Sequence, residues 1–225
     1  LVPGVGAQGG RPENLGPAQR AELRAFIASM GLTLSATCSD FGHGLIDEAH
    51  NRTLLPQIKA NIDLAVDLGT SIITTHIGRV PENRADPVWA VLARALNDVG
   101  AYAEQRGVVL ATETGPEPGS TLAELLEKLD TMAVRVNFDP ANFIIYGYDY
   151  QQALEDLGPY IVHTHAKDAA RDRGEVPLGE GDVAFPWYIS RLQSMGYEGF
   201  YTIEREAGPD PVGDVKQAIA FLRSF

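Results

Sequence analysis

The sequence predicts a parallel α/β domain, and a (β/α)8 barrel over an open doubly wound sheet. Three observations point that way. Amphipathic stretches ending in glycine alternate with short apolar runs along the whole chain. The apolar runs lack the polar alternation of a half-exposed sheet, as parallel strands covered on both faces should. The unusual polar residues fall at the C-terminal ends of those runs, where barrels of this architecture place their active groups.

The elements follow in order. Residues 17–30 (PAQRAELRAFIASM) read as a helix with proline in its first turn, stopped by Gly31. LTLSATC (32–38) reads as a strand. LLPQIKANIDLAVDLG (54–69) has apolar spacing near 3.6 and a glycine stop, so it reads as a helix. SIITTHIG (71–78) is the next strand, 86–106 a helix and VVLATETG (108–115) a strand. TLAELLEKLD (121–130) is a helix with Ser120 as its N-cap, and VRVNFD (134–139) a strand. A short helix over 149–157 precedes the strand YIVHTHAKD (160–168). FPWYISRLQSMG (185–196) is a helix, GFYTIERE (199–206) a strand and DVKQAIAFLRSF (214–225) the closing helix. No low-complexity linker divides the chain, so one domain over 1–225 is expected. The glycine-rich GVGAQGG (4–10) follows no strand and lacks the GxGxxG spacing of a dinucleotide fingerprint, so it reads as loop.

Composition narrows the function classes. With 18 Lys and Arg against 30 Asp and Glu, the formal charge is −12. Phosphate backbones reward clustered cations, so nucleic acid is a disfavoured partner. The single cysteine, Cys38, permits neither an internal disulfide nor a cysteine zinc cage, and fits a reducing compartment. Nothing approaches the ~18 apolar residues of a membrane span. LVPGVGAQGGRPENLG has no basic and apolar segments of a signal peptide. A cytoplasmic protein without a membrane partner is expected.

The strand ends carry the chemistry. The run 71–78 contains His76, and 108–115 contains Glu113. NFDPAN supplies Asp139 and Asn142, HTHAKD supplies His163, His165, Lys167 and Asp168, and TIERE supplies Glu204 and Glu206. Alternation puts His163, His165 and Lys167 on one face of their strand. Four consecutive strands thus offer a carboxylate, a carboxylate, an imidazole and a carboxylate. Such groups inside a barrel mouth are costly unless paired or bound to a cation. Oxygen-rich donors with one imidazole suit Mn²⁺, Mg²⁺ or Co²⁺, with Zn²⁺ also in range. Taken singly, each carboxylate is more often a solvated loop residue and each histidine more often a satisfied structural one; four at matching places on consecutive strands are harder to dismiss.

The runs ETGPEPG, NFDPAN, VHTHAKDA, PLGEGDVAFP and GYEGFYTIERE, in that order, resemble the sugar phosphate isomerase/epimerase superfamily, the xylose isomerase-like TIM-barrel group. The likeness covers about residues 15–225. It implies one divalent cation held by Glu113, Asp139, His165 and Glu204. It also implies that Glu113 and Glu204 act as the acid/base pair at a carbon next to a carbonyl, through an enediolate stabilised by the cation. His76, Asn142 and Arg171 then fall to substrate contacts. Lys167 and Asp168 are expected as an ion pair or as support for the ligands, Tyr146, Tyr148 and Tyr150 as loop or pocket wall, and Trp187 as core. The implied activity is an isomerase or epimerase of a small sugar, ketose or polyol. The alternatives are an inosose-type dehydratase on the same donors and a non-catalytic barrel. Relatives of the endonuclease IV type are histidine-rich and basic-faced, which five histidines and the −12 charge oppose. Barrels of this group often pair, so a homo-oligomer is compatible with the resemblance.

Two departures stand out. Where many relatives carry DxxH, this chain has DPAN, and an asparagine at 142 cannot shuttle a proton. Counting back from VVLATETG as the fifth barrel strand, the first one to two strands are expected to be missing, with LVPG (1–4) the end of the second. The absence of an initial Met is in line with that expectation.

Overall fold

The computed structural model describes residues 15–225. The readings of LVPG and GVGAQGG lie outside the described residues. Two compact units emerge: one runs through Glu113 and resumes over Leu125–Arg135, and the other comprises Thr114–Glu124 and Val136–Phe225.

The first unit opens with α1 (Pro17–Ser29), whose first turn is braced by the Gln19 side chain accepting from Gly16 N–H at 2.8 Å. The strand expected over 32–38 shrinks to β1 (Thr37–Cys38). Its partner β2 (Ile72–Thr75) explains why, since Thr37 pairs with Ile73 and the chain just before β2 is a turn. Ser35 meets that turn through the Thr70 hydroxyl, not through a ladder. Helix α2 (Glu48–Leu68) starts well before the expected Leu54. Asp47 caps it by accepting from Ala49 and His50 N–H, a polar start that apolar periodicity does not reveal. Gly69 takes φ 86° and turns the chain into β2. Helix α3 (Pro87–Arg106), capped by Asp86, returns it to β3 (Val109–Glu113), which lies parallel to β2 from Ile72↔Val109 to Thr75↔Thr112. Ile58, Ile62, Leu92, Leu96 and Val99 from the helices bury against Ile73 and Leu110 from the strands.

Two elements pass from one unit to the other. Helix α4 (Gly119–Glu127) begins at Gly119, with Thr121 and Leu122 N–H both bonded to the Pro118 carbonyl. Ser120 is therefore inside the helix and is not its N-cap. Strand β4 (Val134–Phe138) begins in the first unit, where Leu110 N–H reaches the Ala133 carbonyl.

The second unit carries β4 on beside β5 (Ile161–Ala166), in parallel register Asn137↔His163 and Phe138↔Thr164. Strand β8 (Tyr201–Ile203) pairs parallel to β5, with His165 opposite Thr202. It is shorter than the expected 199–206, which leaves Glu204 and Glu206 just beyond its end. Between these strands lie α5 (Pro140–Ile145), α6 (Tyr150–Leu157), the antiparallel hairpin β6 (Asp168–Ala170) and β7 (Gly174–Val176), and α7 (Phe185–Ser194). Helix α8 (Pro211–Leu222) follows β8. Neither α5 nor the hairpin is expected from the sequence. Phe138, Phe143, Phe185 and Tyr188 fill the interior, with the Phe138 ring 5.3 Å from Phe143 and 5.9 Å from Tyr188. Among the described residues no helix is long and apolar enough to cross a membrane.

Candidate metal centre

In the second unit the donors stand at strand ends, set by the local fold. Asp139 ends β4 and caps α5. Its Oδ1 accepts from Ala141 and Asn142 N–H at 2.8 and 3.2 Å. Its own N–H donates to the Thr114 hydroxyl at 2.8 Å. One carboxylate oxygen is thus committed to the backbone, while Oδ2 lies 3.7 Å from His165 Nδ1 in a side chain with no exposure. Glu204, just past β8, brings Oε2 within 3.0 Å of the same nitrogen. Ligand atoms of Asp139, His165 and Glu204 lie within 4.8 Å of one another.

A buried hydrogen-bonded relay orients His165. The Thr202 hydroxyl donates to His163 Nε2 at 3.1 Å, and His163 Nδ1–H donates to Asn137 Oδ1 at 2.8 Å. Asn137 Nδ2–H then donates to His165 Nε2 at 3.2 Å. Each polar atom of the Asn137 amide meets a histidine, so the amide fixes both rings. His165 Nδ1 is thereby aimed at the two carboxylates. With Nε2 accepting, the ring proton sits on Nδ1 between the two carboxylates. Ligation through Nδ1 requires that proton to leave and the Asn137 amide to turn, so that its oxygen accepts from Nε2–H, the usual support for a metal-ligating histidine.

Lys167, only 4% exposed, places Nζ 2.6 Å from Glu206, 3.0 Å from Glu204 and 3.8 Å from Asp139. Burial pulls its pKa down, but the charges of Asp139 and Glu204 and the bonds to Glu206 and Glu204 outweigh that and hold it above the ordinary lysine value. The expected Lys167–Asp168 ion pair does not form. Asp168 instead accepts from four backbone N–H groups, Ala169 and Val183 on Oδ1, Gly179 and Gly181 on Oδ2. Burial outweighs these donors and raises its pKa above the usual aspartate value. A Cβ on Gly181 would sit 2.2 Å from Asp168 Oδ1, so the clamp requires glycine there.

In the first unit Glu113 ends β3 with its side chain 8% exposed, and its peptide bond leads into Thr114, the residue hydrogen-bonded to Asp139. His76 follows β2. Its Nδ1 lies 2.7 Å from Asp40 Oδ2 and its Nε2 3.5 Å from Glu113 Oε2. The bonds to Asp40 and then Glu113 push its pKa up to about 10 against the opposing effect of burial. The imidazole is therefore cationic at neutral pH, and half of it stays exposed. Asp40 escaped the sequence reading, although SDFGHG directly follows the run 32–38 and the strand-end rule covers it.

The other expected residues divide. Asn142 donates its side-chain N–H to the Thr114 carbonyl at 3.0 Å, a bond that ties α5 to its neighbour. Arg171 is exposed in the β6–β7 turn, and its backbone N–H donates to Asp182. Tyr150 is core, with its hydroxyl accepting from Ala184 N–H and its ring edge-on to Trp187, whereas Tyr146 is exposed.

The family model of the xylose isomerase-like TIM barrel matches residues 3–225. The chain belongs to that family. A xylose isomerase domain protein from Planctomyces limnophilus has a similar structure, with a TM-score of 0.86, 29% identity and coverage of 96% of this chain and 86% of that one. The 2-epi-5-epi-valiolone 7-phosphate 2-epimerase of Actinoplanes is 28% identical over 177 residues, covering 75% of this chain and 63% of the epimerase. An inosose dehydratase of Clostridium perfringens is 25% identical over 154 residues, 58% of this chain and 52% of that enzyme. The chain spans 52% to 66% of the length of the curated relatives it matches.

Proposed function

We propose that this barrel is a divalent-cation-dependent isomerase or epimerase of a small sugar, ketose or polyol. Asp139, His165 and Glu204 hold the cation, and the family resemblance assigns Glu113, at the end of β3, as the fourth donor. The observation that carries the reading is the convergence of a buried aspartate, a glutamate and an imidazole whose second nitrogen is already engaged. Their chemistry fits a hard divalent ion. Bonds of about 2.1 Å set neighbouring ligand atoms roughly 3 Å apart, and His165 Nδ1 lies 3.0 Å from Glu204 and 3.7 Å from Asp139. Lys167 supplies one positive charge among several carboxylates, so further positive charge remains favourable there.

When bound, such an ion supplies Lewis-acid stabilisation of negative charge growing on substrate oxygens. The chain's own groups handle the proton. One of Glu113 and Glu204 accepts it from the carbon beside the carbonyl, and the other returns one. Lys167 holds the Glu204 carboxylate from behind and is itself held by Glu206. Arg171, exposed, is the group most available to bind substrate oxygens. His76, half exposed, faces a carboxylate with each ring nitrogen and is less available. Asn142, engaged with Thr114, is less so.

Similarity to proteins named inosose dehydratase favours one second reading, in which the same proton abstraction is followed by loss of a β-hydroxyl. Proton NMR in D₂O with added MnCl₂ removed before acquisition, or with MgCl₂ throughout, separates the two on a panel of ketoses and inososes. An isomerase or epimerase incorporates deuterium beside the carbonyl and interconverts isomers. A dehydratase yields the dehydrated ketone or its tautomer. Neither signal with any substrate, from protein shown to hold a cation, would contradict both readings.

A further inference from the structure

We infer that Asp40 is a positioning residue that acts on Glu113 through His76, an inference that rests on the metal-centre reading above. The residues sit at three successive strand ends of the first unit. Asp40 Oδ2 takes His76 Nδ1–H at 2.7 Å, and His76 presents Nε2 to Glu113 Oε2 at 3.5 Å. A carboxylate can only accept, so the Asp40 bond puts a proton on Nδ1 and fixes the rotation of the ring. Nε2 then faces the Glu113 carboxylate and restricts its orientation.

The backbone makes this arrangement rigid. Asp40 Oδ1 accepts from Gly42 N–H at 2.8 Å, so the carboxylate is held on both oxygens. The segment carrying it is tied along the end of β2 at four points. Ser39 N–H bonds the Thr74 carbonyl at 2.7 Å, and the Thr75 hydroxyl donates to the Ser39 carbonyl at 3.0 Å. Leu45 N–H bonds the Ile77 carbonyl at 2.7 Å. Gly44 lies so close to Gly78 that an added Cβ would sit 2.5 Å from its Cα. The chain around Asp40 and the chain around His76 are therefore one strapped pair of loops. This is more order than a solvated surface ion pair needs, because an isolated exposed pair contributes little to stability.

The geometry predicts that Asp40 matters to cation affinity without being a ligand. Groups that orient a ligand from outside typically change metal affinity 10- to 100-fold. The test is calorimetric titration of MnCl₂ into the full chain, as wild type, Asp40→Ala, His76→Ala and the double variant. Each single variant should weaken binding by about tenfold or more, and the double variant no further than His76→Ala alone, because Asp40 acts through that ring. Asp40→Asn, whose carbonyl oxygen can still accept from Nδ1–H, should fall between. Nitrogen-15 NMR of the His76 ring, read without metal, should show a protonated Nδ1 in the wild type. Wild-type affinity in Asp40→Ala, additive losses in the double variant, or a bare Nδ1 would each overturn the role of Asp40 and leave the metal centre standing. A wild type that takes up no Mn²⁺ would overturn the metal centre, and this inference with it.

Discussion

Asp168 shows how a residue can be legible as important and illegible in role. Its place after HTHAK marks it, yet the ion pair with Lys167 that adjacency suggests is absent. The chain breaks between them: Lys167 lies past the end of β5, and Asp168 opens the hairpin strand β6. Lys167 turns to Glu204 and Glu206, while Asp168 gathers the N–H groups of 169, 179, 181 and 183. Its function is then to shape the PLGEGDV loop. An amide at 168 keeps one acceptor oxygen and sets an NH₂ against two donors. Asp168→Asn should therefore destabilise the protein by about 2 kcal/mol in urea unfolding. Limited proteolysis within 177–183 should accelerate as well. An unchanged midpoint and an unchanged cleavage rate would mean that the loop holds its shape without the clamp. The strand-end placement of the proposed donors was legible in the sequence. The relay through Asn137 and His163 was not, because it depends on the register of β4 and β5, which the sequence does not state.

At the scale of elements, glycine stops and 3.6 periodicity found the major helices, while edges and short elements escaped. The strands β1 and β8 are shorter than their apolar runs because hydrogen-bond partners run out before apolar residues do. Helix α5 was readable in principle from the Asp139–Pro140 pair, an N-cap followed by a proline in the first turn. It is too short to show periodicity. Two polar groups of α3 hold the segment before β4, Asn97 through Asp130 and Glu104 through Thr131 and Met132. Glu104 Oε1 accepts from Met132 N–H at 2.6 Å and from the Thr131 hydroxyl at 2.8 Å. These bonds, the Met132 N–H foremost, hold its pKa below the usual glutamate value of 4.5. The stabilisation they give is present above pH 4.5 and fades as pH falls through the lowered pKa. Glu104→Gln keeps the accepting oxygen and removes the charge. Its melting temperature should lie below that of the wild type at pH 7, and the gap should close as pH falls through the lowered pKa. A gap independent of pH would show that charge plays no part at this join.

For the whole molecule, fold class was the most legible property, because it rests on a pattern repeated along the chain and not on any one boundary. The xylose isomerase-like barrel inferred from five motifs agrees with the family match over residues 3–225 and with a solved structure of TM-score 0.86. Reaction type is less legible. Epimerisation and dehydration both begin with removal of a proton beside a carbonyl, so one donor set serves either and the relatives include both names. The two outcomes diverge in how substrate hydroxyls are held, which no strand-end motif encodes. Both proposed reactions call on the cation. Elemental mass spectrometry should therefore be run on the purified protein dialysed after exposure to MnCl₂, with Glu204→Ala and His165→Ala beside the wild type. The account predicts close to one divalent ion per wild-type chain and loss of most of it in both variants, each checked for folding by circular dichroism. A folded wild type that retains no metal, or folded variants that retain it fully, would contradict the account.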